Sequence, residues 1–214
     1  MPTPAHTPIQ VIQAAMGALV FNAFIADAID ANLITPSSFR PEAILKAENY
    51  GVIIRKIFSM EEVVLSGRNN LLMALGTAAI ATDTALDAVF TKNNKAHDTT
   101  PLGSARVIIF QIRCAFAHDP LTPVWRADLD RYKHRYRVIV PVPIESGSTE
   151  PRAIEFHPPS LQGKQLSFLD FGGVSGYISL LRYCLEEVAK HPLGNQAYVS
   201  PPDLIDTYIK ALQY

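Results

Sequence analysis

The sequence predicts a mainly helical fold: a four-helix bundle with a small antiparallel β insert and a returning C-terminal helix. Two observations carry that expectation. Long stretches on both sides of the middle of the chain repeat their apolar residues at helical spacing. Between them, beyond residue 120, the pattern changes to strand-like alternation, with Ser, Gly and Pro gathered in the turns. With 48 % hydrophobic and 18 % charged residues among 214, the chain can bury a sizeable core, which excludes disorder for its bulk. Its length suits a single domain over 1–214, divided into a helical bundle (1–120), a β-rich insert (121–170) and C-terminal helices (171–214).

The first eight residues hold three prolines and read as a short tail. A helix is expected over 9–31, ended by Asn32 and the Thr35-Pro36-Ser37-Ser38 turn. Its apolar stretch carries Gln13, Asn22 and Asp27 and lacks a close basic flank, so it reads as a packed helix and not a membrane span. A second helix is expected over 41–58. Pro41 suits its first turn, Glu42 complements its dipole, and Ile44, Leu45, Ile53, Ile54 and Ile57 are its apolar residues. Gly67 breaks the pattern. A third helix follows over 69–90, with Leu71, Leu72, Leu75, Ala79, Thr82 and Leu86 facing the core.

Residues 91–100 read as a loop. A fourth helix, over 102–117, is apolar on most sides and so lies inside the bundle. Asp119-Pro120 stops it, because the residue before a proline avoids helical dihedrals. Strands are expected at 125–129, 135–142, 152–156 and 166–169, forming a meander, with Tyr136, Val138, Val140 and Val142 on one face. A long helix over 174–190 and a short terminal helix over 201–212 complete the chain.

A net charge of -1 argues against a wholly basic nucleic-acid binder but leaves room for a local basic patch. Two lone cysteines, Cys114 and Cys184, make neither a disulfide framework nor a zinc site, and they fit a reducing compartment. The N-terminus lacks the basic region of a signal peptide, so a cytoplasmic location is expected. His97, His134, His157 and His191 show no zinc-ligand spacing; no metal and no cofactor are expected.

The fourth helix, though apolar, carries Arg106, Gln111 and Arg113 and ends at His118. A buried arginine needs a partner or an opening to solvent. Asp27, Asp83 and Asp87 are the acidic candidates on other helices, and with one of them Arg113 is structural and His118 merely caps the helix. Arg113 and His118 are five apart, about 140° around a straight helix at ~100° per residue. They converge only if the helix ends before His118; otherwise each meets groups from a second subunit. A histidine at a helix C-terminus sits against the negative end of the dipole, which favours its protonated form. An arginine beside it holds a phosphate. Together they have the tools to cleave RNA without a metal: a neutral imidazole takes the 2′-hydroxyl proton, and the second His118 of a two-fold dimer supplies the acid.

The phrase Arg113-Cys-Ala-Phe-Ala-His118 resembles the Arg-x(4–6)-His signature of the HEPN superfamily, at the end of a late bundle helix. The resemblance implies a helical-bundle homodimer whose motif helices line a shared cleft. It also implies a metal-independent endoribonuclease or RNA-binding protein, with Arg113 and His118 catalytic. Toxin–antitoxin pairs, with an antitoxin-like protein partner, and phage defence are the settings it implies. Catalytic members commonly carry a polar residue after the arginine, where this chain has Cys114. That departure favours the alternative, a non-catalytic dimeric interaction or regulatory module.

Cys114 and His118 share a helix face, but the dipole at a helix end opposes a thiolate, so Cys114 reads as a small core residue. The run Arg131-Tyr-Lys-His-Arg-Tyr-Arg137 interleaves cations with tyrosines, the mix that grips phosphate and stacks bases. Arg131, Lys133, Arg135 and Arg137 are therefore expected to bind RNA, the alternative being a solvated strand whose charges discourage edge pairing. Phe171-Gly-Gly-Val-Ser-Gly176 lacks the residues of a phosphate-binding loop and reads as a tight turn into the last helix.

Overall fold

Thr7 and Gln10 open the first helix, α1 (Pro8–Asp30), by capping each other: Thr7 Oγ1 accepts from the Gln10 N–H at 3.2 Å, and the Gln10 side chain accepts from the Thr7 N–H at 2.9 Å. Ser59 and Glu62 repeat this arrangement at the start of α2 (Met60–Val89), and the Thr100 hydroxyl caps α3 (Pro101–His118). The computed structural model describes residues 6–47, 50–90, 95–140 and 152–196, the segments 42–47 and 50–55 by backbone alone. The expected terminal helix over 201–212, residues 1–5, and residues 141–151 with the expected strand end at Val142 lie outside the described residues.

The chain is mainly helical, with small antiparallel β elements. Four long helices, α1, α2, α3 and α5 (Gly173–Lys190), pack on one another. Ile29 at the end of α1 lies over Gly67 near the start of α2, and Phe116 at the end of α3 lies over Gly76. Tyr177 of α5 donates its hydroxyl to Leu75 O at 3.2 Å, and His191 meets the Phe90 ring at the far end of α2. Successive long helices therefore alternate in direction, and α5 runs parallel to α2.

Several expectations need correction. Residues 42–55 form an antiparallel strand pair, β1 (Glu42–Ala47) with β2 (Tyr50–Arg55), in place of a helix over 41–58. The physical reason is visible in the sequence. At about 100° per residue, Ile44, Leu45, Ile53, Ile54 and Ile57 scatter around a helix instead of forming a stripe. Val52-Ile53-Ile54 is a β-branched run that suits a strand. Secondly, α3 is the third long helix, and α5, expected only as a returning helix, completes the four. Thirdly, Gly67 does not interrupt α2: it lets α1 approach, since a Cβ there would stand 2.6 Å from Ile29 Cδ1.

The insert pairs β3 (Tyr136–Val140) with β4 (Arg152–Phe156), antiparallel, with Tyr136 opposite Phe156. Tyr136, Val138 and Val140 face the core while Arg137 and Ile139 face out, as the alternation predicts. The expected strands at 125–129 and 166–169 do not form. Only an isolated bridge joins Val124 to Gln165, and Phe168–Phe171 is a 3-10 turn capped by Ser167. Trp125 fills the space beneath, against Phe156 and Phe171, and its Nε1 donates to Asp170 Oδ2 at 2.9 Å. A four-residue helix, α4 (Pro158–Leu161), precedes that turn.

The α1 and α2 helices are each long and apolar enough to cross a membrane, by length and composition. Both pack within the bundle, but α1 leaves Phe21 and Phe24 mostly exposed, at 64 % and 70 %.

Candidate functional site at the end of α3

Ile112 and Ala115 are fully buried and Phe116 nearly so, which fixes the last turns of α3 against α2. A Cβ on Gly76 would stand 2.5 Å from the Phe116 ring, so only glycine admits Phe116 there. The helix runs through His118. Asp119 then turns extended, as the residue before Pro120 must. The Asp119 carboxylate accepts from the Leu121 and Thr122 N–H groups at 3.1 and 2.9 Å and from the Thr122 hydroxyl. These bonds, the hydroxyl first, hold the Asp119 carboxyl below its usual range.

Because the helix includes His118, Arg113 and His118 diverge within one chain. Arg113 turns to α2 and donates Nη1–H to Asp83 Oδ2 at 2.6 Å. Asp83 is fully buried and also binds Lys95 Nζ at 2.9 Å. Lys95 bridges to Asp87 at 2.9 Å, and Arg106 lies 3.5 Å from the same Asp87 oxygen. Two carboxylates of α2 thus meet three cations from α3 and the turn Lys95–His97, leaving one formal positive charge. Mutual pairing is what allows such charges inside a fold. Arg113 is the member nearest solvent, its side chain 35 % exposed.

His118 is exposed and lines a cleft of about 260 Å³ with Asp119, Thr122, Arg126 and Gln165. Arg113 does not line it. The cleft forms where the Val124–Gln165 bridge brings the start of the insert beside the residues that follow α4. Arg126 and Gln165 escaped the sequence reading. Arg126 follows the buried Trp125, the one signal that its neighbour points outward.

The four cations of the basic run, Arg131, Lys133, Arg135 and Arg137, are all exposed. The two tyrosines between them are not available to stack bases. Tyr132 lies buried on the Phe110 ring of α3, with centroids 5.8 Å apart. Tyr136 is fully buried and donates to Ala96 O at 2.6 Å, and burial pushes its hydroxyl up to about 12. Arg137 also lies 3.4 Å from the exposed Glu155, a surface pair of little energetic weight.

Cys114 is half-buried and its thiol is raised by that burial; Cys184 is fully buried and raised to about 12 for the same reason. Neither has the environment of a nucleophile. The glycines after Phe171 serve the turn: Gly172 and Gly173 take positive φ, and a Cβ on Gly176 would strike Phe171 O at 2.0 Å. Among the described residues, no group of three or more His, Cys, Asp or Glu is arranged to hold a metal.

The chain matches no protein-family model, no curated protein and no solved structure.

Proposed function

We propose that this chain is a HEPN-like, RNA-directed protein, a metal-independent endoribonuclease whose chemistry centres on His118. One observation carries the reading: His118 stands exposed at the end of a rigidly packed helix, in a cleft shared with the cation Arg126. An imidazole held there on a fixed support suits proton transfer to and from a ribose 2′-hydroxyl. Arg113, anchored on Asp83 and partly in solvent, offers its outer edge to a phosphate. Since the two side chains diverge in one chain, the reading requires a homodimer in which the α3 ends face each other. Arg131, Lys133, Arg135 and Arg137 would follow the RNA backbone as point charges, without base stacking. A cytoplasmic location and a toxin–antitoxin or defence setting belong to the same reading.

The second reading, a non-catalytic interaction module, is favoured by a different observation: Arg113 already has a fully buried carboxylate partner. On that reading the arginine serves the fold alone.

Affinity for fluorescently labelled single-stranded RNA, measured from about 50 to about 200 mM salt, tests the RNA-directed claim. We expect steeply salt-dependent binding, with the slope reduced by about 1 for each contacting cation among the four replaced by Ala. Absence of binding at the lowest salt, or slopes unchanged by all four substitutions, would remove the RNA reading in both its forms.

A further inference from the structure

The cleft beside His118 holds more polar chemistry than a proton transfer uses. Its walls carry the Asp119 carboxylate, the Arg126 guanidinium, the Gln165 amide and the Thr122 hydroxyl, around the half-buried Val124. Backbone bonds tie the two arms of the wall together: Trp125 N–H to Lys164 O at 2.9 Å, Gly163 N–H to Trp125 O at 2.9 Å, and Leu166 N–H to Pro123 O at 2.8 Å. Trp125 and Leu166 are buried, so their neighbours Arg126 and Gln165 turn away from the core and line the cleft. Resting on the RNA-directed reading and deepening it, we propose that this cleft selects a guanine base, carried by the nucleotide whose 2′-hydroxyl meets His118.

Charge favours a base over a phosphate at this wall. The Thr122 hydroxyl and the Thr122 and Leu121 N–H groups hold the Asp119 carboxyl low, and the nearby Arg126 charge adds to this, so Asp119 is an anion at neutral pH. An anion repels a phosphate brought against it. A neutral base has no such penalty. A cleft of about 260 Å³ also suits one base with its sugar better than a longer stretch of strand.

The choice of base follows from what the walls can give and take. A guanidinium only donates, and a carboxylate only accepts. The ligand therefore needs paired acceptors on one edge and donors on another. Guanine has both: O6 and N7 match the fork of Arg126, and N1–H and N2–H suit Asp119. Asp119 Oδ1 already accepts two N–H bonds, but Oδ2 accepts only the Thr122 hydroxyl and has capacity left. Adenine would turn its N6 amino group, a donor, towards the guanidinium, and cytosine and uracil have no N7. The Gln165 amide both donates and accepts, so it can serve either edge, and Val124 offers apolar surface to the ring.

Titration of the full chain with the four nucleoside 3′-monophosphates tests the assignment. The readout is the NMR signal of the His118 imidazole, identified by its loss in His118→Ala. Guanosine 3′-monophosphate is expected to move that signal and to bind at least about tenfold more tightly than the other three, the discrimination that one bidentate pair supplies. Arg126→Gln should transfer the preference to adenosine 3′-monophosphate, because a glutamine amide pairs with adenine N6 and N7. Arg126 is exposed, and circular dichroism checks that the variant is folded. Equal binding of all four, binding of none, or a preference that Arg126→Gln leaves unchanged would overturn the proposal. Binding of a uridine-only RNA at low salt separates this inference from the reading beneath it. If that RNA binds and no guanine preference is found, the guanine site alone fails. If guanosine 3′-monophosphate is selected but no RNA of any sequence binds, the RNA-directed reading fails, and with it the placement of the guanine on a strand.

Discussion

Arg113 and Asp83, thirty residues apart on α3 and α2, meet at 2.6 Å, and the carboxylate is wholly buried. The relationship changes how the motif arginine has to be tested. Removing either partner leaves a charge without its counterpart inside the bundle. Loss of activity in an Arg113 variant is therefore ambiguous until folding has been measured.

Asp83→Ala should lower stability by about 3–5 kcal/mol, because Arg113 and the buried Lys95 both lose a carboxylate. Urea unfolding followed by circular dichroism checks it. A loss under about 0.5 kcal/mol would show that the network carries little of the fold.

Gly76→Ala should cost about 1–3 kcal/mol, because the new methyl group meets the Phe116 ring, which packing under α3 holds in place. The same measurement checks it. An unchanged midpoint would mean that the end of α3 shifts freely, and with it the support of His118.

The thiols give a pH prediction. Burial raises both, Cys184 to about 12, so each stays protonated in the folded chain where a free thiol ionises. A raised thiol favours the fold below about pH 8.5, and that advantage is lost as pH rises towards the folded value. Native alkylation at pH 8 should be slow at Cys114 and absent at Cys184, with both reacting rapidly in denaturant. Mass spectrometry counts the adducts. Rapid native modification of Cys114 would restore it as a candidate nucleophile.

The stop of α3 and the start of α5 were legible because strong local chemistry sets them: Asp119-Pro120 at the one, glycines before the other. The partner of Arg113 was narrowed to three aspartates by the need to neutralise a buried cation; choosing Asp83 required the register of α2 on α3, which tertiary packing sets. The β1–β2 pair was misread because Pro41 and Glu42 imitate a helix start, while the scattered apolar positions behind them signal the opposite. The buried side of the basic run was hidden in a different way. Tyr132 and Tyr136 have the composition of a stacking surface, but the alternation of the chain turns them towards Phe110 and Ala96.

His118 offers the cleanest test of function, because an exposed residue at a helix end can be replaced with a stability change within about 0.5 kcal/mol. The measurement is cleavage of labelled single-stranded RNA, with chelator present, by the wild-type chain and by His118→Ala. The expected products end in 2′,3′-cyclic phosphate, and the rate should fall at least about 100-fold in the folded variant. No cleavage by the wild-type chain across varied RNAs, or an undiminished rate in His118→Ala, would contradict the proposed function.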